Sequence, residues 1–167
     1  MIRVCFHGAE STGKSVLAGK LASELNCPLV PEYGREYCET RGTDLTMTDL
    51  FAIAAGQDAA MRGACAGDPP LVLLDTDPLM TAAWARMLFD DVPAELLAYP
   101  KAERYLLFAT DVPWVEDGTR FFGTGESRAR FAAVAEDVLV RAGVPFTRIR
   151  GNWLERERAV REILTAL

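Results

Sequence analysis

Eight consecutive residues constrain this chain more than any other feature. Gly8-Ala9-Glu10-Ser11-Thr12-Gly13-Lys14-Ser15 completes the pattern G-x-x-x-x-G-K-[ST], between an apolar run at residues 2–6 and a helix-patterned stretch at 14–25. In that setting consecutive backbone N–H groups and the helix N-terminus converge on one point, and the glycines let the chain close around a phosphate without Cβ clashes. Residues Gly8, Glu10, Ser11, Thr12, Gly13, Lys14, Ser15 and Val16 are therefore the expected nucleotide cradle, with ATP as the ligand. Lys14 places a charge on the β- and γ-phosphates, and the Ser15 hydroxyl is suited to hold Mg2+.

The rest of the chain repeats the same alternation. Short apolar runs at 28–30, 71–74, 104–109 and 146–149 alternate with helical periodicity at 35–42, 44–66, 81–89, 128–142 and 154–167. Strands that alternate with helices predict an α/β, three-layer P-loop NTPase fold, with a parallel sheet of about five strands and helices on both faces. No linker or repeat divides residues 1–167, so one kinase-like domain is expected, with the polar, Gly-containing segment at about 111–130 as its lid.

Three carboxylates fall at the C-terminal ends of predicted strands, the edge where open α/β sheets bind ligands. Asp75 ends the buried run 71–74 and is the expected second Mg2+ ligand. Asp77 precedes Pro78, which favours extended backbone and puts Asp75 and Asp77 on one side. Glu32 follows the second short strand and faces the acceptor side, where Glu32 or Asp77 could orient or deprotonate an attacking hydroxyl. Tyr33 and Arg35 adjoin it as candidate substrate contacts. Arg120, Arg128 and Arg130 flank two glycines in the segment 120–130. Arginines on such a segment can close over a γ-phosphate and stabilise the charge that develops during transfer.

Composition removes other classes. The net charge of −6 lacks the basic field that sequence-independent nucleic-acid binding uses. Four cysteines show no C-x-x-C spacing and His7 is the one histidine, so no zinc motif is present. Without an apolar leader or a run of roughly 20 apolar residues, a cytoplasmic protein with no membrane partner is expected.

Taken in order, the P-loop, Pro31-Glu32-Tyr33-Gly34-Arg35-Glu36-Tyr37, Gly56-Gln57, Asp75-Thr76-Asp77 and Pro113-Trp114-Val115-Glu116-Asp117-Gly118-Thr119-Arg120 resemble the ribosylnicotinamide (nicotinamide riboside) kinase domain of the NadR type. The resemblance spans nearly the whole chain. It implies that Lys14 and Ser15 serve ATP and Mg2+, Asp75 the metal, Glu32, Arg35 and Asp77 the acceptor, and Arg120 and Arg128 the lid. With His7 as its one histidine, this sequence has no H-x-G-H nucleotidyltransferase motif. The family's pattern places a tryptophan before E-Y and a tyrosine after G-H-Q, around the pyridinium ring; here those places hold Pro31 and Asp58-Ala59-Ala60. The expectation is a kinase acting on the hydroxyl of a small-molecule riboside. Nicotinamide riboside is the first candidate, and a weak one unless Tyr33, Tyr37, Trp84 or Trp114 supplies the missing ring. The alternative is a nucleotide-binding regulatory or metabolite-sensing ATPase with no small-molecule acceptor; no N-K-x-D motif points to a guanine-nucleotide switch.

Overall fold

The computed structural model of the protein describes residues 1–115 and 121–167. Its elements run β1 (Ile2–His7), α1 (Lys14–Leu25), β2 (Leu29–Val30), α2 (Tyr33–Arg41), α3 (Met47–Cys65) and β3 (Leu71–Leu74), followed by α4 (Pro78–Phe89), α5 (Ala94–Ala98), β4 (Arg104–Phe108), α6 (Gly125–Arg141), β5 (Phe146–Ile149) and α7 (Trp153–Thr165). The five strands form one sheet in the order β2-β3-β1-β4-β5, and every neighbouring pair is parallel. β1 lies at the centre, between β3 and β4. The loop that leaves it therefore emerges where the connections diverge to opposite sides of the sheet, the usual position of a ligand crevice.

Period-2 alternation along the strands divides the core into two layers. Val4 and Phe6 of β1 join Leu73, Leu106, Phe108 and Ile149 against α1 and α7. Cys5, one residue out of phase, joins Val72, Leu74, Tyr105 and Leu107 against α3, α4 and α6. Helices thus cover both faces, as the alternating pattern predicts. No helix of the described residues is long and apolar enough to cross a membrane.

Capping chemistry explains where the helices depart from the periodicity. α3 begins at 47 instead of 44, capped by Thr46 in a reciprocal capping box with Asp49. α4 begins at 78 instead of 81 because Asp77 accepts the Leu79 N–H and Pro78 fits the first helical position. α6 begins at 125 instead of 128, with the Thr124 hydroxyl accepting the Ser127 N–H.

Candidate active site

The phosphate-binding loop closes as its glycines require. Gly8 has φ +131, and a Cβ there would stand 2.7 Å from the Phe108 carbonyl oxygen of the adjacent strand. Thr12 is buried and donates its hydroxyl to the Ala9 carbonyl at 3.0 Å. The Lys14 ammonium curls over the same loop, donating to the Ala9 carbonyl at 2.7 Å and to Thr12 Oγ1 at 3.3 Å. Two side chains of the loop reach the borders of the segment expected as a lid. Ser11 Oγ accepts the Val115 N–H at 2.7 Å, and the Glu10 carboxylate accepts the Phe121 and Phe122 N–H groups at 3.1 and 3.2 Å.

Beneath the loop lies a residue that the sequence reading did not select. Arg156 of α7 is 1 % exposed, and its guanidinium donates to the Thr12, Ala109 and Gly151 carbonyls at 2.9, 2.9 and 2.7 Å and pairs with Asp111. One side chain therefore ties the loop to the ends of β4 and β5. Its sequence signal was its place four residues before Val160, on the apolar face of α7, where a charged residue is otherwise out of place.

The acidic residues separate into two sites. Asp75 ends β3 nearly buried; burial raises its pKa, opposed by a hydrogen bond from Ser15 and by the charges of Lys14 and Arg35. The Ser15 hydroxyl and the Asp75 carboxylate are thus adjacent hard-oxygen donors beside the phosphate loop, a pair suited to Mg2+. Glu32, at the N-cap of α2, lines the same cavity as the loop. Burial raises its carboxyl to about 7, with Asp75 and Glu10 adding to the shift and Lys14 and Arg35 opposing it.

Asp77 takes the other direction. Thr76 has φ +89, so the extended run expected from Asp75 to Asp77 does not form. Asp77 is turned under the sheet edge, 1 % exposed, accepting the Leu79 N–H at 3.0 Å and the Tyr105 hydroxyl at 2.5 Å. Burial lifts its carboxyl to about 6, against the lowering effect of those hydrogen bonds. It is not among the side chains that line the cavity. Cys5, His7 and Asp77 have ligand atoms within 4.8 Å of one another, a grouping invisible to a search for C-x-x-C spacing. All three already have protein partners: Asp77 in Tyr105, Leu79 and the Cys5 thiol, and His7 through an Nε2–H that donates to the Ala135 carbonyl at 3.0 Å.

From the loop the cavity continues past Glu32 and Arg35 to a wall formed by Leu50, Ile53, Met80, Trp84, Phe121 and Phe131. Trp84 meets Phe121 and Phe131 edge-on, both at 5.1 Å between ring centroids. Of the four rings expected to replace the missing pair, Trp84 lines the cavity, whereas Tyr33, Tyr37 and Trp114 do not. The Tyr33 ring packs against Gly56 instead, and Tyr37 donates its hydroxyl to Asp49 at 2.6 Å. Arg128 lies 5.6 Å from the centroid of the Trp114 ring and donates to the Val112 carbonyl at 3.0 Å, outside the cavity lining. Arg130 faces Asp90 at 3.5 Å. Arg120 lies outside the described residues.

Known proteins resemble this chain in sequence and fold. The chain is 29 % identical over 153 residues to the trifunctional NAD biosynthesis/regulator protein NadR of Escherichia coli K12, covering 87 % of this chain and 37 % of that protein. A crystal structure of NadR protein in complex with NR superposes with a TM-score of 0.80 at 25 % identity, over 98 % of this chain and 51 % of the other. The chain thus spans about half, or less, of the length of these relatives. At 13 % identity, deoxyadenosine kinase from M. mycoides shares the fold, with a TM-score of 0.67 and essentially full coverage of both chains. Fold, phosphate loop and relatives agree on a P-loop protein similar to NadR. With residues 3–156 matched by the family model described as an AAA domain, the chain belongs to that family, AAA_28.

Proposed function

We propose that this protein is an ATP-dependent kinase that transfers the γ-phosphoryl group to a hydroxyl of a riboside, with nicotinamide riboside the first candidate. One observation carries the reading: the phosphate loop, the Glu32 carboxyl and an aromatic wall line a single cavity, so a donor phosphate and a ring-bearing acceptor can meet there. The similarity to a NadR structure that holds NR supports the choice of first acceptor. Unpaired Cys5, Cys27, Cys38 and Cys65 suit a reducing, cytoplasmic setting.

Each role follows from placement. The loop N–H groups and Lys14 bind the β- and γ-phosphates. Ser15 and Asp75 would hold Mg2+, which would supply positive charge against the phosphate oxygens. The acceptor oxygen forms a bond to the γ-phosphorus as the bond to the β,γ-bridging oxygen breaks. ADP leaves, and the hydroxyl proton passes to Glu32. Glu32 is preferred over Asp77 because it lines the cavity while Asp77 is occupied by Tyr105 and the α4 N-terminus. Arg35 borders the same space and suits the acceptor or its new phosphate. Arg128, with Arg120, is assigned to a lid at about 111–130 that would bring guanidinium groups to the transferring phosphate. Trp84 and Phe121 take the place of the aromatic pair missing at Pro31 and Asp58-Ala59-Ala60.

The test is ADP release measured with Mg-ATP across nicotinamide riboside, common nucleosides and free ribosides, with Lys14→Ala as control. Acceptor-dependent turnover that disappears in Lys14→Ala is expected, with the variant's fold retained. Hydrolysis indifferent to every riboside would instead make the chain an ATP-dependent sensor, and unchanged turnover in Lys14→Ala would remove the phosphate-loop assignment.

A further inference from the structure

The Gly56-Gln57 pair has no part in the roles assigned above, yet its placement is specific. Gln57 sits on α3, 1 % exposed, with its amide at the floor of the cavity. Its Oε1 accepts the Tyr33 N–H at 2.8 Å, and its Nε2 donates to the Pro31 carbonyl at 3.2 Å and to the Thr76 carbonyl at 3.4 Å. The first two partners are the peptide groups on either side of Glu32. The third lies between Asp75 and Asp77, on the residue with φ +89.

A helix N-terminus leaves backbone N–H groups without intrahelical partners, and the N-cap side chain commonly satisfies one of them. Glu32 is the N-cap of α2 and makes no such hydrogen bond with its side chain. Gln57, from another helix, satisfies a different one, the N–H of the first helical residue. Gln57 thus holds the peptide groups on both sides of Glu32, a residue that makes no side-chain capping bond and lines the cavity. Only an amide meets the whole requirement. A carboxylate there could accept from Tyr33 but could not donate to two carbonyls, and an apolar side chain could do neither. Gly56 completes the fit, because a Cβ at that position would run into the Tyr33 ring.

We infer that Gln57 is a positioning residue for catalysis: it holds the peptide groups on both sides of Glu32 and ties the Glu32 turn to the Asp75-Thr76-Asp77 turn. The inference rests on the reading of Glu32 as the group that accepts the hydroxyl proton. Small displacements of a reacting group cost large factors in rate, so Gln57→Met should lower kcat by about 10- to 100-fold while KM for ATP stays within about 2-fold.

A double-mutant cycle separates positioning from a general structural role. Transfer of radiolabelled γ-phosphate to nicotinamide riboside, or to the best riboside of the panel, is measured for the wild type, Gln57→Met, Glu32→Gln and the double variant. If Gln57 acts through Glu32, its cost falls to within about 3-fold in the Glu32→Gln background. The same cost in both backgrounds, or no cost in either, overturns the inference and leaves Glu32 as the base. No effect of Glu32→Gln on kcat overturns the underlying reading, and the inference with it. Hydrogen exchange at the Tyr33 amide adds a readout that needs no substrate. Exchange should accelerate at least 10-fold in Gln57→Met, and unchanged protection overturns the inference on its own. Should Gln57→Met fail to fold, Gly56→Ala carries the same cycle, since it displaces Tyr33 and leaves the amide intact. An equal cost with and without Glu32 again counts against positioning.

Discussion

The donor half and the acceptor half of the cavity are built by different means. The proposed donor half is a single stretch of chain, Gly8 to Ser15, in which backbone N–H groups and one lysine would do the binding. A buried guanidinium, Arg156, fastens it from below. The acceptor half is assembled from side chains on α2, α3, α4, α6 and the segment after residue 120, which meet only when the sheet is complete. A site made from backbone is fixed by local spacing and tolerates little change. One made from side chains of several elements can exchange rings, and the reading proposed above gives Trp84 and Phe121 the place of the aromatic pair absent at Pro31 and Asp58-Ala59-Ala60.

The largest effect expected within this contrast comes from the one acceptor-side residue with a chemical role. Glu32→Gln should lower kcat by about 10²- to 10⁴-fold, the usual worth of a positioned general base. Because the base must be ionised and burial holds its carboxyl at about 7, kcat/KM of the wild type should rise with pH and level off above that value. The variant should lack this limb. A kcat/KM profile flat between pH 6 and 8 in the wild type would take the role from Glu32 and erase the chemical link between the two halves.

A smaller effect belongs to the aromatic wall. Trp84→Leu keeps an apolar side chain and removes the ring face, so KM for the riboside should rise about 5- to 150-fold, the equivalent of about 1 to 3 kcal/mol of stacking. KM for ATP should not move. A rise in KM for ATP alone would mean that the wall serves the donor, and the division into halves would fail.

What the sequence reveals follows the same division. The phosphate loop, β3, β5 and α1 are legible because each depends on neighbours within a few residues: a motif, an apolar run of strand length, a run of helical spacing. Arg156 was not legible as a clamp, because its place on the apolar face of α7 marks it as unusual without naming what it binds, and its three carbonyl partners lie 5, 47 and 144 residues away. Phe121 and Phe131 read as ordinary apolar residues until Glu10 and α6 bring them to Trp84. Asp77 shows the limit most clearly. The rule for residues before proline anticipated its own extended backbone, φ −151 and ψ −179. One left-handed residue before it, Thr76, sent the side chain to the core instead of the cavity.

The smallest catalytic effect is therefore expected at Asp77. Asp77→Asn retains an oxygen to accept the Leu79 N–H, and asparagine is as good an N-cap as aspartate, so kcat should fall less than 10-fold. Its signature lies in stability. In the folded protein the Asp77 carboxyl titrates at about 6, above the ordinary 3.8. A carboxyl raised on folding is protonated more readily in the native state than in the unfolded chain, so its contribution is complete below pH 4. That contribution is lost as pH rises through 6, about 3 kcal/mol across the interval. Denaturant unfolding of the wild type should thus include a component that weakens from pH 4 to 6, and Asp77→Asn should lack it, since an amide has no proton to lose. If the two proteins show the same slope across that interval, burial does not govern Asp77. A loss of kcat as deep as that of Glu32→Gln would return Asp77 to the acceptor side and join the two carboxylates that Thr76 now holds apart.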